Sequence, residues 1–277
     1  MPSPSQENLF KLALKSEAAG EFKQAIDYLE QALQLKRTQK IVLQLCELYL
    51  EDSEPYAAYA LIKEETDLFT DSALFDEYRK VLQANHFVIE ALELQNLSSD
   101  KIAISITAID QTVQQEIMRD FRQKKQISQY DYEQLFKLDL TNFKTFAQSL
   151  LLDPSLLFAV RISLCEDLVR LGVTESIKVL IMGNLEEFIP QTTELLEKGS
   201  IYQEVVSAIG SRYYHRPNQL PSVLGEVNLV LGSLYPKLHK YIDEPDSFAS
   251  DLASYLEKHD GRGHQQLFDQ IYQNLPK

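Results

Sequence analysis

The chain has little of what most catalytic, membrane and nucleic-acid architectures require. Glycine is scarce, nine in 277 residues, and no Gly-rich phosphate loop precedes a helix. Cysteine is scarcer still. Cys46 and Cys165 lie far apart, each among apolar residues, so no disulfide framework is expected. Buried reduced thiols are expected instead, in keeping with a cytoplasmic protein. No apolar run approaches the roughly 20 residues of a membrane-spanning helix, and no membrane association is expected. Met1-Pro2-Ser3-Pro4-Ser5-Gln6-Glu7 has neither the basic stretch nor the apolar core of a secretory leader. Positive charge is also short: 27 Lys and Arg against 41 Asp and Glu, a net charge of −14. Such a chain repels a phosphate backbone.

Chemistry-bearing motifs are missing as well. No Ser/His/Asp or Cys/His nucleophile arrangement appears, and the carboxylates are too numerous for one pair to stand out as general acid and base. None of His86, His215, His239, His259 and His264 pairs convincingly with Cys, Asp or Glu at the i, i+4 spacing of a helical metal site. His259-Asp260-Gly261-Arg262-Gly263-His264 carries two glycines and reads as a loop between the last helices, not an ion site. The expectation is a non-enzyme with no cofactor and no metal.

What is present is helical periodicity. Gly20-Glu21-Phe22-Lys23-Gln24-Ala25-Ile26-Asp27-Tyr28-Leu29-Glu30-Gln31-Ala32-Leu33 places Ala25 and Ala32 on one face, with Ile26, Leu29 and Leu33 filling the same stripe. Short side chains let a second helix approach closely. Gly20 suits the tight turn before the helix. Ala25, Ala58 and Ala91 recur at a fixed spacing, which divides the first part of the chain into units at residues 6–38, 39–71 and 72–97. Leu45, Cys46 and Tyr49 mark the second unit. Phe75, Tyr78 and Leu82 mark the third, where Arg79 stands at a position for a small residue and makes the unit degenerate.

This pattern resembles the tetratricopeptide repeat (TPR) family over residues 1–97. The resemblance implies helix pairs stacked into a superhelix that binds a peptide or a partner helix on its concave face. The repeat alignment lines that face with Glu7, Phe10, Leu14 and Glu17, then Lys40, Leu43, Gln44 and Glu47, then Asp76, Glu77 and Lys80. Apolar anchors mixed with acid suit a basic protein or peptide partner. Between Glu47 and Glu77 the acids have Lys63 as their only base, which predicts a solvated acidic face. Some TPR domains clamp the acidic C-terminus of a chaperone with Lys, Asn and Arg. The matching positions here are Phe10, Leu14, Gln44, Ala73 and Glu77. The cations are missing, so an acidic chaperone tail is not the expected ligand.

Residues 98–277 read as a second helical domain. Ser98-Ser99-Asp100 breaks the array, and Ile102, Ile106, Ile109, Val113 and Ile117 predict a helix over 101–118. Arg119-Asp120-Phe121-Arg122-Gln123-Lys124-Lys125 is a local basic patch. A helix is expected over 142–152. Asp153-Pro154 predicts a helix start, running to Leu171 with Leu157, Val160, Leu164 and Leu168 on one stripe and Gly172 ending it. Ser176–Ile181 and Leu185–Ile189 predict one short β-hairpin near 176–189, turning at Gly183-Asn184 and closed by Pro190. Helices are expected again over 192–214, 219–235, 236–242, 246–259 and 264–274.

Leu151-Leu152-Asp153-Pro154, the hairpin, Leu234-Tyr235-Pro236-Lys237-Leu238-His239-Lys240-Tyr241-Ile242 and Phe248-Ala249 resemble the C-terminal part of uncharacterised TPR-containing proteins of low-GC Gram-positive bacteria, a likeness that implies no chemistry. The expected fold class is therefore all-α: a TPR-like α-solenoid followed by a second helical domain with one β-hairpin. The expected function is a protein–protein interaction scaffold or adaptor. The alternative is a nucleic-acid-associated regulator, because the helix, turn, helix and hairpin of 142–190 resemble a winged helix. Against it, the second helix carries Glu166 and Asp167 with only Arg161 and Arg170, too few groups for base reading. Arg212-Tyr213-Tyr214-His215-Arg216 mixes bases and aromatics, and reads as the end of a helix whose dipole the cations complement.

Overall fold

A computed structural model of the protein describes residues 4–98 and 103–274. Its described residues are mostly α-helical, with one two-stranded antiparallel sheet. They fall into two units: the first comprises 4–95 and 103–140, the second 96–98 and 141–274. The division expected at 97/98 is thus displaced. Residues 103–140 pack with the N-terminal helices, because Leu135 and Phe136 are buried and the Phe136 ring meets Phe87 edge to face.

The first unit begins with six helices: α1 (Pro4–Ala18) packs with α2 (Phe22–Leu35) and α3 (Gln39–Glu51) with α4 (Pro55–Ile62), while α5 (Ser72–Asn85) packs on α3 and α4 and is followed by α6 (Val88–Leu97). The alanine spacing has a direct packing consequence. Ala25 and Ala58 are fully buried and Ala91 is 2% exposed, so each second helix presents a short side chain at its contact. Gly20 turns between α1 and α2 at φ +76, a conformation that costs glycine little. Cys46 fills the small-residue position of α3, its Sγ resting 3.7 Å from the carbonyl oxygen of Ala58. The third expected unit departs from the first two, because α5 packs on α3 and α4 more than on α6. Arg79 is exposed, and only His86 and Phe87 join the helices, with His86 left-handed at φ +58.

Residues 103–110, expected as helix, are extended. Ala103-Ile104-Ser105-Ile106-Thr107 alternates with period two, and its β-branched residues favour extended backbone. Ile104 is buried while Ala103, Ser105 and Thr107 face solvent. The helix proper is α7 (Gln111–Gln123), followed by the short α8 (Gln129–Glu133).

The second unit holds α9 (Leu140–Leu151), α10 (Phe158–Arg170), β1 (Ile177–Ile181), β2 (Asn184–Phe188), α11 (Ser200–Arg212), α12 (Leu220–Leu234), α13 (Leu238–Tyr241), α14 (Pro245–Lys258) and α15 (Gln265–Asn274). Its core includes Leu164, Val179, Val205, Leu231, Phe248 and Phe268.

Two expected boundaries move. Asp153-Pro154 makes a turn, not a helix start: the Asp153 carboxylate accepts from the Ser155 N–H, and the Leu156 N–H closes on the Asp153 carbonyl. Leu157 is then extended at ψ 133, so α10 begins at Phe158. The hairpin turns at Met182-Gly183, one residue before the expected pair. Both have positive φ, as a two-residue type I′ turn requires. The helix expected over 192–214 starts at Ser200, after two short 3-10 turns.

Candidate functional site

The face formed by α1, α3 and α5 draws together residues far apart in sequence. Lys40 Nζ sits 4.0 Å above the centre of the Phe10 ring, a cation–π contact between the first two pairs. Gln44 Nε2 donates to both Glu17 carboxylate oxygens at 3.0 Å. Lys80 Nζ lies 3.7 Å from Glu47 and 2.7 Å from Glu77. Phe10–Lys40, Glu17–Gln44 and Glu47–Lys80–Glu77 therefore form consecutive cross-links over the three first helices. Leu14 stands out from this face, 42% exposed, and Leu43 is half-buried. Asp76 is exposed and reaches Arg79 at 3.6 Å.

Glu77 departs from a partner-facing role. It is 3% exposed, and its Oε1 is buried without a hydrogen-bond partner among the described residues. The carboxylate holds Lys80 from beneath and is not presented to a ligand. The face keeps an acidic balance through Glu17, Glu47 and Glu51. Burial, with the nearby Glu51 and Glu47 carboxylates, holds the Glu17 carboxyl above the usual range for glutamate. An arriving cation relieves that repulsion.

The extended segment after α6 was not anticipated as part of this surface. Arg79 Nη2 donates to the Ala103 carbonyl at 3.4 Å, and His86 Nδ1 lies 3.1 Å from the Thr107 carbonyl. Ile104 and Ser105 then line a depression of about 430 Å³ with Asp76, Arg79, Lys80 and Gln83. The period-two alternation of isoleucines was the signal that places this segment against α5.

The acidic stretch of 47–77 is only partly solvated. Glu64 and Glu65 pair with Arg37, and Asp71 caps the α5 N-terminus through the Ala73 and Leu74 N–H groups. Glu90 was not singled out by its sequence context. It is buried and accepts from Tyr59, Tyr78 and Lys63, so the inner polar core of this unit is a closed network of phenols, one ammonium and one carboxylate.

The remaining candidates resolve into structural contacts. Both thiols are free and buried. Burial pushes Cys46 up to about 12 and Cys165 higher, which removes thiolate reactivity at neutral pH. No cluster of three or more metal-ligating side chains occurs among the described residues. His264 Nδ1 lies 2.9 Å from Asp251.

On α10, Arg161 donates to the carbonyls of Leu180, Gly232 and Ser233, and Arg170 pairs with Glu166 and Asp167. Both cations of α10, the second helix of the winged-helix-like segment, are thus engaged internally. Tyr213 is buried, Arg212 contacts Ser250 and Arg216 pairs with Glu257. In the basic patch, Phe121 is buried, Arg119 pairs with Asp120 and Lys124 with Asp131. No helix among the described residues is long and apolar enough to cross a membrane. No family model, curated protein or solved structure matches the chain.

Proposed function

We propose that the protein is a non-catalytic adaptor of TPR type, working in the cytoplasm, whose α1–α3–α5 face receives a basic peptide or helix with aliphatic anchors. One observation carries this reading. On this face Glu17, held by Gln44, lies beside the exposed Leu14, and burial, then the nearby Glu51 and Glu47 carboxylates, raise its carboxyl. A lysine or arginine placed there lowers the electrostatic cost of the cluster, and Leu14 supplies apolar contact. The two free buried thiols support the cytoplasmic assignment.

The test titrates the full chain with the blocked peptide Leu-Lys-Lys-Leu-Lys-Leu and maps amide shifts. Shifts on α1 and α3, and a roughly fivefold weaker affinity with a flatter salt dependence in Glu47→Lys/Glu51→Lys, are expected for charges near a binding face. Glu77 is left intact because it is buried. Affinity and salt slope that do not change on charge reversal sink the reading.

A further inference from the structure

The sheet in the second unit has two edges, and they are treated differently. On β1, Gln148 acts as a surrogate strand: its Oε1 accepts from the Lys178 N–H at 2.9 Å and its Nε2 donates to the Lys178 carbonyl at 2.8 Å. Arg161 Nη1 donates to the Leu180 carbonyl at 3.1 Å. Side chains thus take three of the four outward backbone groups of Lys178 and Leu180.

These same contacts fix the direction of the β2 backbone. Lys178 and Leu180 point their backbone groups away from β2, so Lys178–Glu187 and Leu180–Leu185 are the non-hydrogen-bonded pairs of the ladder. The N–H and C=O groups of Leu185 and Glu187 must therefore point outward, away from β1. Among the described residues none of these four groups has a hydrogen-bond partner. The exposed row continues to Ile189, whose carbonyl is taken by Thr192 and Thr193. A cleft of about 810 Å³ adjoins this end of the strand, lined by Glu187, Phe188, Ile189, Tyr202, Lys237 and Leu238 among others.

We propose that the β2 edge accepts an extended peptide as a third strand, with a basic residue opposite Glu187 and aliphatic residues opposite Leu185 and Ile189. Backbone pairing supplies the attachment and alternate side chains supply the choice of partner. Leu185 and Ile189 are 58% and 43% exposed, so both are open to cross-strand contact. Glu187 is exposed; Ser176 Oγ donates to it at 3.2 Å, and Lys178 lies 3.9 Å away. A second copy of this chain fits the edge poorly. Antiparallel self-pairing sets Glu187 opposite itself, Leu185 or Ile189, and none of these complements a carboxylate. The site lies on the second unit, so it stands or falls separately from the α1–α3–α5 face.

The experiment follows amide hydrogen exchange of the full chain with millimolar blocked Val-Thr-Lys-Thr-Val, using Val-Thr-Glu-Thr-Val as the counterpart. The lysine peptide is expected to slow exchange at Leu185 and Glu187 by about tenfold, and the glutamate peptide is not. Glu187→Lys should invert that preference. Glu187→Pro removes only an outward N–H and should abolish the protection. The Ile177 and Val179 amides report that the hairpin persists in both variants. Three results overturn the proposal: no slowing at either amide, equal slowing by both peptides, or slowing that grows with protein concentration alone, which assigns the edge to a second copy.

Discussion

Single side chains set both the packing and the charge of the first unit. Ala25 is fully enclosed while Gln24 is exposed, though the two are neighbours. Ala25→Leu is therefore expected to overpack the α1–α2 contact and cost about 1–3 kcal/mol. Gln24→Leu should stay within about 0.5 kcal/mol. Urea unfolding of both variants measures the difference, and equal losses would mean that the helix does not present Ala25 to its neighbour. The acid cluster makes a second prediction. Burial comes first among the causes that raise Glu17, and Glu51 and Glu47 add to it. Removing one of those charges with Glu47→Gln should move the Glu17 titration downward toward the ordinary value of about 4.3. Carboxyl-resolved NMR reads it, and an unmoved Glu17 would separate the two carboxylates.

At the scale of an element, α8 and the β-hairpin depend on local devices. Ser128 and Asp131 form a reciprocal capping box at the α8 N-terminus. The Lys124 ammonium, and then Ser128, hold the Asp131 carboxyl down at about 2. An aspartate in an unfolded chain titrates near 3.9. The folded value is depressed, so this contribution is complete above about pH 4 and is lost as pH falls toward 2. Asp131→Asn should flatten that limb of the stability profile, measured as the urea midpoint from pH 5 to pH 2. In the hairpin, Met182 holds φ +49 in a turn that favours Asn-Gly. Met182→Asn is expected to stabilise the protein by about 0.5–1 kcal/mol, since asparagine tolerates the left-handed region better. A loss in calorimetry would show that the Met182 side chain contributes more by packing than its backbone costs.

For the whole molecule, the chain divides into two units with separate cores. Damage to one should remain local. In Ala25→Leu, faster exchange is expected in α1 to α4, with α10 to α15 retaining their protection. Acceleration throughout, read by hydrogen-exchange mass spectrometry, would show that the two units unfold as one.

Periodicity alone was enough for the all-α class and the single hairpin. These depend on short-range rules: alanine at a recurring position, glycine at positive φ, alternation before a turn. The same rules misassigned residues 103–110, where a row of isoleucines fits both a helical stripe and a non-helical alternation, and the segment forms no helix, with Ile104 buried. Asp153-Pro154 was ambiguous for a related reason, since an aspartate that caps a helix also closes an Asx-type turn. The α1–α3–α5 face was legible as a list of residues, because the repeat aligns equivalent positions. Its chemistry was not. Whether Glu77 meets a ligand or supports Lys80 depends on burial, which no local pattern encodes. The identical letters Arg161 and Arg170 likewise gave no hint that three carbonyls hold one and two carboxylates the other. The β2 edge lies furthest from the sequence: the hairpin register turns the Leu185 and Glu187 backbone groups outward, while Gln148 and Arg161, from two different helices, engage groups of the opposite edge. Local propensity determined which elements form. Long-range contact decided which of their polar groups remain available to a partner.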